Sequence, residues 1–248
     1  MTSWLLIHGG GTTGGFWDRL VPLLDGAVLA VDLPGRRGVA GDLATQTVGQ
    51  EVASVLAAVA ASPLADPIVV VAHSSGGLVV PGVVAALGDR VAAIVLNAAS
   101  VPPEGGTGMD CMLERHADGI RLAMEMAAAS GEPVLTPGPP SDPSKFRTAY
   151  GGDPLDDDTL AFVTHPDRCV VDTMHHYLQE VRWSLVPAGI PVTYVVTERD
   201  RPVPLAMQEL MLSRLPVAPT VVRMDTGHLP AITHAAEFAS ILQSERRR

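Results

Sequence analysis

Lysine is almost absent from this 248-residue chain: all but one of its 17 basic residues are arginine, and Lys145 stands alone. A single lysine makes Schiff-base chemistry a poor expectation. Two cysteines, Cys111 and Cys169, are too few to build a structural zinc site or an iron–sulfur cluster by themselves. The basic residues are outnumbered by 27 acidic ones, and the resulting net charge of −10 repels phosphate backbones and anionic lipid. No nucleic-acid or membrane partner is therefore expected. Long apolar runs are also missing; the longest, 68–72 and 91–96, have strand length and cannot span a bilayer. Ahead of Leu5-Leu6-Ile7 there is no basic region, so no secretory signal is read and the expected location is cytoplasmic.

What remains is a chain that is 47% hydrophobic with a mean hydropathy of +0.25, enough to bury one substantial core. Strand-like apolar runs fall at 4–7, 28–31, 68–72, 92–96, 192–196 and 220–224. Between them, 45–60, 75–87 and 204–215 show helical spacing, the first opened by Thr45 as an N-cap. This alternation predicts an α/β fold, a mostly parallel six-stranded sheet flanked by helices. It stops between 101 and 186, a stretch far too long for an ordinary connection. The expected organisation is a core of 1–100 and 187–248 interrupted by a helical cap at 101–186, with helices over 109–129, 155–164 and 168–183. Five of the nine methionines (Met109, Met112, Met124, Met126, Met174) lie in that insertion, either as helix packing or as the underside of a lid over an apolar pocket.

The run Ala72-His73-Ser74-Ser75-Gly76-Gly77 follows a strand and opens a helix. A tight strand-to-helix turn strains its central residue and needs small neighbours two positions away, here Ala72 and Gly76. Ser74 is thus the candidate nucleophile, set at a helix N-terminus that favours developing negative charge. Ser75 competes less well, since its register puts His73 at a position that must be small. After the first strand, His8-Gly9-Gly10-Gly11-Thr12-Thr13-Gly14-Gly15 lacks the Walker lysine and clean dinucleotide spacing. An oxyanion hole fits it better, with the N–H groups of Gly10 and Ser75 as donors and Gly9 as second choice for the first. Of eight histidines, His228 after the last strand is placed to act as base. Asp200 precedes it in Ser…Asp…His order as the orienting acid, with Glu198 as runner-up. His8, His73, His116, His165, His175, His176 and His234 are read as structural or surface residues.

On His8-Gly9-Gly10-Gly11 with Trp17, Asp32-Leu33-Pro34-Gly35, His73-Ser74-Ser75-Gly76-Gly77, Asp200 and Gly227-His228, the chain resembles the α/β-hydrolase fold over nearly its whole length. It is most similar to the small esterase and hydroxynitrile-lyase branch. That resemblance implies a core sheet interrupted by a helical cap, a serine triad and no metal or organic cofactor. Hydroxynitrile lyases of the branch carry a lysine after the triad histidine and a threonine after the oxyanion-loop histidine, where this chain has Leu229 and Gly9. The leading expectation is therefore hydrolysis of a carboxylic ester or lactone of a small to medium, mostly apolar molecule through an acyl-enzyme. Two rivals keep the fold: a non-hydrolytic enzyme of bacterial secondary metabolism (cyclisation, dehydration, acyl transfer or lyase chemistry), and a ligand receptor with residual turnover. The oligomeric state is not legible.

Overall fold

Alternate residues along the central strands feed two separate cores. In the computed structural model, which describes residues 2–136, 138–139, 141–144, 146 and 151–245, the chain runs β1 (Ser3–Ile7), β2 (Val28–Val31), α1 (Val48–Ala61), β3 (Ile68–His73), α2 (Val80–Leu87) and β4 (Val91–Asn97). It continues with α3 (Glu114–Ser130), β5 (Leu135–Thr136), α4 (Asp157–Thr164), β6 (Asp172–Thr173), β7 (Val192–Thr197), α5 (Leu205–Leu212), β8 (Thr220–Met224), α6 (Pro230–Thr233) and α7 (Ala235–Glu245). Leu5, Ile7, Val70, Ala72, Ile94 and Leu96 point to one face and pack against Val55 and Val59 of α1 and Val80, Val83 and Val84 of α2. Trp4, Leu6, Val69, Val71 and Val95 point to the other, against Phe16, Trp17, Leu160 and Val163 of α4, and Phe238 and Leu242 of α7. That period of two is what a sheet buried on both faces demands. Each fully buried Val, Leu or Ile contributes about 1.5–3 kcal/mol.

The six main strands lie in the order β2-β1-β3-β4-β7-β8 and every pairing is parallel, so the sheet is wholly rather than mostly parallel. The strands begin and end within a residue or so of the expected positions, and the architecture is the α/β-hydrolase fold that the resemblance implied. The chain leaves β1 toward one edge for β2 and returns to the other side of β1 for β3, which makes the β1/β3 boundary a switch point. Loops after such strands diverge and open a crevice at the carboxyl edge of the sheet. Because Ile7 is in register with Ala72, and Ala72 with Leu96, the Gly-rich loop and the Ser74 turn start side by side at that edge.

Four helix expectations are corrected, one of them at the Ser74 turn, where the stretch 75–87 is a 3₁₀ turn at Ser74–Leu78 followed by α2 rather than one helix. Helix α1 starts at Val48, capped by Thr47 rather than Thr45, because Thr47 and Gln50 form a reciprocal capping box. The stretch 168–183 is not a helix: it holds β6 and two short 3₁₀ turns, His175–Leu178 and Trp183–Leu185. β-Branched Val170, Val171 and Thr173 favour extension, and β6 pairs antiparallel with β5. The expected helix at 109–129 is likewise divided into a 3₁₀ turn at Gly108–Cys111 and α3. Lys145 and the 246–248 tail lie outside the described residues. Among the described residues no helix is long and apolar enough to cross a membrane, and no cluster of side chains has the make-up of a metal site.

Candidate active site

Ser74 has φ +51°, in the left-handed region that side chains other than glycine seldom adopt. It is held there by a close approach of backbones. A Cβ on Gly76 would lie 2.6 Å from the carbonyl oxygen of His8, so only glycine fits two residues after Ser74. The Ser74 carbonyl accepts from the Ser100 N–H at 2.8 Å, tying the turn to the end of β4. Ser74 is half-buried, while Ser75 beside it is almost fully covered.

At the ends of β7 and β8 the imidazole Nδ1 of His228 meets Asp200 Oδ2 at 2.7 Å, with both side chains buried. A carboxylate only accepts, so Nδ1 carries the hydrogen and the lone pair is on Nε2. Asp200 is itself fixed: Oδ2 also accepts from the Thr197 hydroxyl at 2.7 Å, and Oδ1 accepts from the Val203 N–H at 2.8 Å. Gln208 braces this loop through bonds to the Thr197 and Val203 carbonyls. Glu198, the alternative acid, lies 3.7 Å from Arg223 at the surface and does not join His228.

The remaining histidines divide by burial. His8 donates from Nδ1 to the Gly9 carbonyl at 2.8 Å and accepts the Leu33 N–H on Nε2 at 3.2 Å. Burial, with the Arg36 charge adding to it, pushes its pKa down to about 3, so it is a neutral brace of the Gly-rich loop. His73 is also buried and held well below the ordinary histidine range, by burial first and then by the nearby His228. His116 and His165 are exposed, and His234 sits in the break between α6 and α7 rather than on a single last helix. His176 is buried; Glu51 raises it despite the opposing cost of burial, with Nδ1 and Glu51 Oε1 2.9 Å apart.

Several residues of this region carried no local signal in the sequence. The carbonyl of Gly151 accepts the His228 N–H at 2.6 Å. Gly152 has φ +94°, and a Cβ there would fall 1.9 Å from the Arg199 carbonyl, so this strand of chain can press onto the Asp200 loop only as glycine. Buried Asp153 follows, 3.0 Å from Arg199 and bonded to the Thr233 hydroxyl at 2.8 Å. Asp172 and Arg36 form a fully buried ion pair beneath the Gly-rich loop. The one available hint was an acid at the end of the apolar run Cys169-Val170-Val171.

Beside the Gly-rich loop lies a narrow cavity of about 20 Å³, partly open to solvent and lined among others by Gly11, Thr12, Phe146, Val163, Cys169 and Leu229. The charge of Arg168, which also borders it, is spent on Asp18 at 2.6 Å and on the face of Phe162, 4.1 Å from the ring centroid. The methionines lie elsewhere: Met109 is buried, Met126 is 66% exposed, and Met124 faces a different surface hollow.

Residues 4–241 match a family model described as the alpha/beta hydrolase family. No curated protein matches the chain in sequence. Among solved structures, it is similar to an extracellular alpha/beta-hydrolase from a Paenibacillus species, described as sharing structural and functional homology with tobacco salicylic acid binding protein 2 (TM-score 0.80, 19% identity, 99% of each chain covered). It is also similar to a pyrethroid hydrolase from Sphingobium faniae JZ-2 (TM-score 0.69, 21% identity, 98% of this chain and 96% of that one). A third likeness is to the methylesterase MES16 from Arabidopsis (TM-score 0.70, 17% identity, 98% of each chain).

Proposed function

Since this chain belongs to the alpha/beta hydrolase family, we propose that it is a serine hydrolase of carboxylic esters or lactones, with Ser74 as nucleophile, His228 as base and Asp200 as orienting acid. The observation that carries this reading is the coincidence of a strained, φ +51° serine at the end of β3 with a buried 2.7 Å His228–Asp200 pair on loops of the same sheet edge. Strain of this kind costs about 1–3 kcal/mol and persists where the surroundings enforce it, most often at functional sites. In the proposed reaction Ser74 Oγ attacks the acyl carbon while its proton passes to His228 Nε2. Asp200 stabilises the imidazolium that results. The tetrahedral oxyanion rests on the N–H groups of Gly10 and Ser75. The alkoxide leaves with the proton from His228, and water attacks the acyl-enzyme by the same steps in reverse.

The segment 101–186 is proposed as the cap over this site, and the mostly apolar lining of the adjacent cavity favours an uncharged acyl or alcohol group. That the structural neighbours include proteins described as a hydrolase and a methylesterase agrees with this chemistry. The test is labelling by a fluorophosphonate followed by mass spectrometry, with turnover of a p-nitrophenyl ester series. One adduct on Ser74, absent from Ser74→Ala, together with a loss on the order of a million-fold in kcat, is expected. An adduct on Ser75 would overturn the assignment of the turn. A labelled protein that turns over no ester favours the receptor or non-hydrolytic alternatives.

A further inference from the structure

Beneath the Gly-rich loop lies a buried ionic cluster that the proposed triad does not use. The side chains of Asp172 and Arg36 are fully buried against each other. Asp172 Oδ1 accepts from the Arg36 guanidinium and from the Thr173 N–H at 2.7 Å, while Oδ2 accepts from the Gly11 N–H at 2.7 Å. Arg36 spends Nη1 on the Pro34 carbonyl at 2.7 Å. Next to this pair stand His176 and Glu51, 2.9 Å apart, with the Gln46 amide on the same Glu51 oxygen at 2.5 Å. Burial alone would favour a neutral Asp172, but the Arg36 charge, His176 and the Gly11 N–H hold its carboxyl below the usual carboxylate range. It is thus ionised, and its charge is offset locally by Arg36.

A carboxylate neutralised in this way adds little field at a neighbouring oxyanion, so what it supplies is direction. A run of three glycines has little stiffness of its own, so both peptide planes around Gly10 are held from outside: the plane that carries the Gly10 N–H is set through the Gly9 carbonyl, which accepts from His8 Nδ1 at 2.8 Å and from the Thr12 hydroxyl at 2.9 Å. The Asp172 bond settles the other, the Gly10–Gly11 plane, by taking the Gly11 N–H. The Cβ that Gly10 lacks would lie 2.8 Å from the Tyr177 hydroxyl, 3.2 Å from Ser75 Oγ and 3.5 Å from Asp172 Oδ2. Asp172, Tyr177 and the two proposed oxyanion donors therefore converge on one residue. Resting on the serine-hydrolase reading, we infer that Asp172, anchored by Arg36, is a positioning residue for the oxyanion hole: by fixing the Gly11 amide it holds the second of the two planes that flank Gly10, and together with the bonds of His8 and Thr12 to the Gly9 carbonyl it keeps the Gly10 N–H directed toward the oxygen of the tetrahedral intermediate. Part of the catalytic geometry is on this account built by the segment that precedes β7, which would otherwise serve only to choose the substrate.

The experiment compares the full-length wild type with Asp172→Asn and with the double variant Arg36→Met, Asp172→Leu. The double variant removes both charges and keeps an apolar fill, the kind of exchange that buried ion pairs often tolerate, so it tests the idea even if Asp172→Asn folds poorly. Each is measured for kcat and KM on a p-nitrophenyl ester, for the inhibition constant of a trifluoromethyl ketone that adds to Ser74 as a tetrahedral oxyanion, and for melting temperature. Removing one oxyanion donor costs roughly 10²–10³ in kcat, so misdirecting one should lower kcat by about 10- to 100-fold in both variants. KM should stay within about twofold, and ketone affinity should fall by the same factor as kcat, as expected of an interaction made only in the transition state. Folded variants with undiminished kcat, or with lowered kcat and unchanged ketone affinity, overturn the inference while leaving the hydrolase reading in place. A wild type that takes no fluorophosphonate on Ser74 overturns both.

Discussion

His73 donates from Nε2 to the main-chain carbonyl of His228 at 2.9 Å, so the residue before Ser74 carries the backbone of the residue paired with Asp200. The His73 ring is stacked on Phe16, with centroids 4.5 Å apart and planes at 14°, and lies 4.5 Å from the His228 ring. On its other side the His228 N–H is taken by Gly151. Both polar groups of the His228 backbone are therefore engaged, one by the end of β3 and one by chain that lies between β4 and β7. The spacing of Ser74 and His228 is a property of this joint, and it does not depend on the His228 side chain alone.

A substitution at His73 tests the joint. His73→Phe keeps the stacking surface against Phe16 but removes the buried His73 donor from the His228 carbonyl, at a cost of about 1–3 kcal/mol. The melting temperature should fall by several degrees. If His73 positions the base, kcat on a simple ester should also drop by roughly tenfold, with KM unchanged, since small misplacements of a catalytic group are costly. A destabilised variant with wild-type kcat would reduce His73 to a packing residue.

The legible part of this molecule is the part written in local patterns. Ser74 is flanked by a buried strand and by residues small enough for the turn, and Asp200 and His228 follow strands in chain order, so each proposed triad member could be named from its immediate neighbours. The Arg36–Asp172 pair joins residues 136 apart in sequence, and the His176–Glu51 pair joins residues 125 apart. No periodicity or turn chemistry encodes such meetings. The misread helix at 168–183 has the same cause: once folded, Asp172 is committed to the Gly11 N–H and its own N–H to the Thr136 hydroxyl at 2.9 Å, and these long-range bonds hold the backbone extended.

Buried neutral histidines make acid the weak side of the fold. In the unfolded chain histidine takes a proton near pH 6.5, whereas folded His8 resists protonation down to about pH 3 and folded His73 is depressed in the same direction. Below pH 6.5 the unfolded state therefore binds more protons, and stability falls as the pH is lowered. Asp172, with its lowered folded pKa, adds to the loss once the pH approaches its titration. Urea midpoints should decline from pH 6.5 toward pH 4, and His8→Asn should show a shallower decline than wild type. A flat midpoint across that range would contradict the buried, neutral state of both rings.

His176 works in the opposite sense. Its folded pKa is raised, because Glu51, its hydrogen bond and Asp172 outweigh the cost of burial. Its stabilising contribution is complete below the unfolded value near 6.5 and is lost as the pH rises through the folded one. Glu51→Gln removes the partner of a buried charge, which typically costs about 3–5 kcal/mol, and should remove this alkaline slope as well. Chemical denaturation of wild type and variant between pH 6 and 9 reads both effects. Parallel curves for the two proteins would show that the His176–Glu51 contact does not control the titration.

Substrate preference should be set by the cavity beside the Gly-rich loop and not by the methionines of the inserted segment. Phe146, Val163 and Cys169 come from between β4 and β7 and face Gly11, Thr12 and Leu229, so a group held there lies next to the loop that supplies the proposed Gly10 donor. Among the described lining residues the only charged one, Arg168, is bound to Asp18 and the Gly15 carbonyl, so the described lining reads the substrate through apolar surface. One methylene in such a pocket is worth roughly 1–3 kcal/mol of discrimination. Phe146→Ala should therefore move the optimum of an ester series toward longer or bulkier groups, and Val163→Phe should move it toward shorter ones. Met126→Ala, at an exposed position, should leave the profile where it is. The rate of fluorophosphonate labelling should change little in all three, because none of these side chains touches Ser74, His228 or Asp200 by hydrogen bond. If the chain-length profile follows Met126 and ignores Phe146 and Val163, the substrate lies across a different face of the insertion and this cavity is only a packing defect.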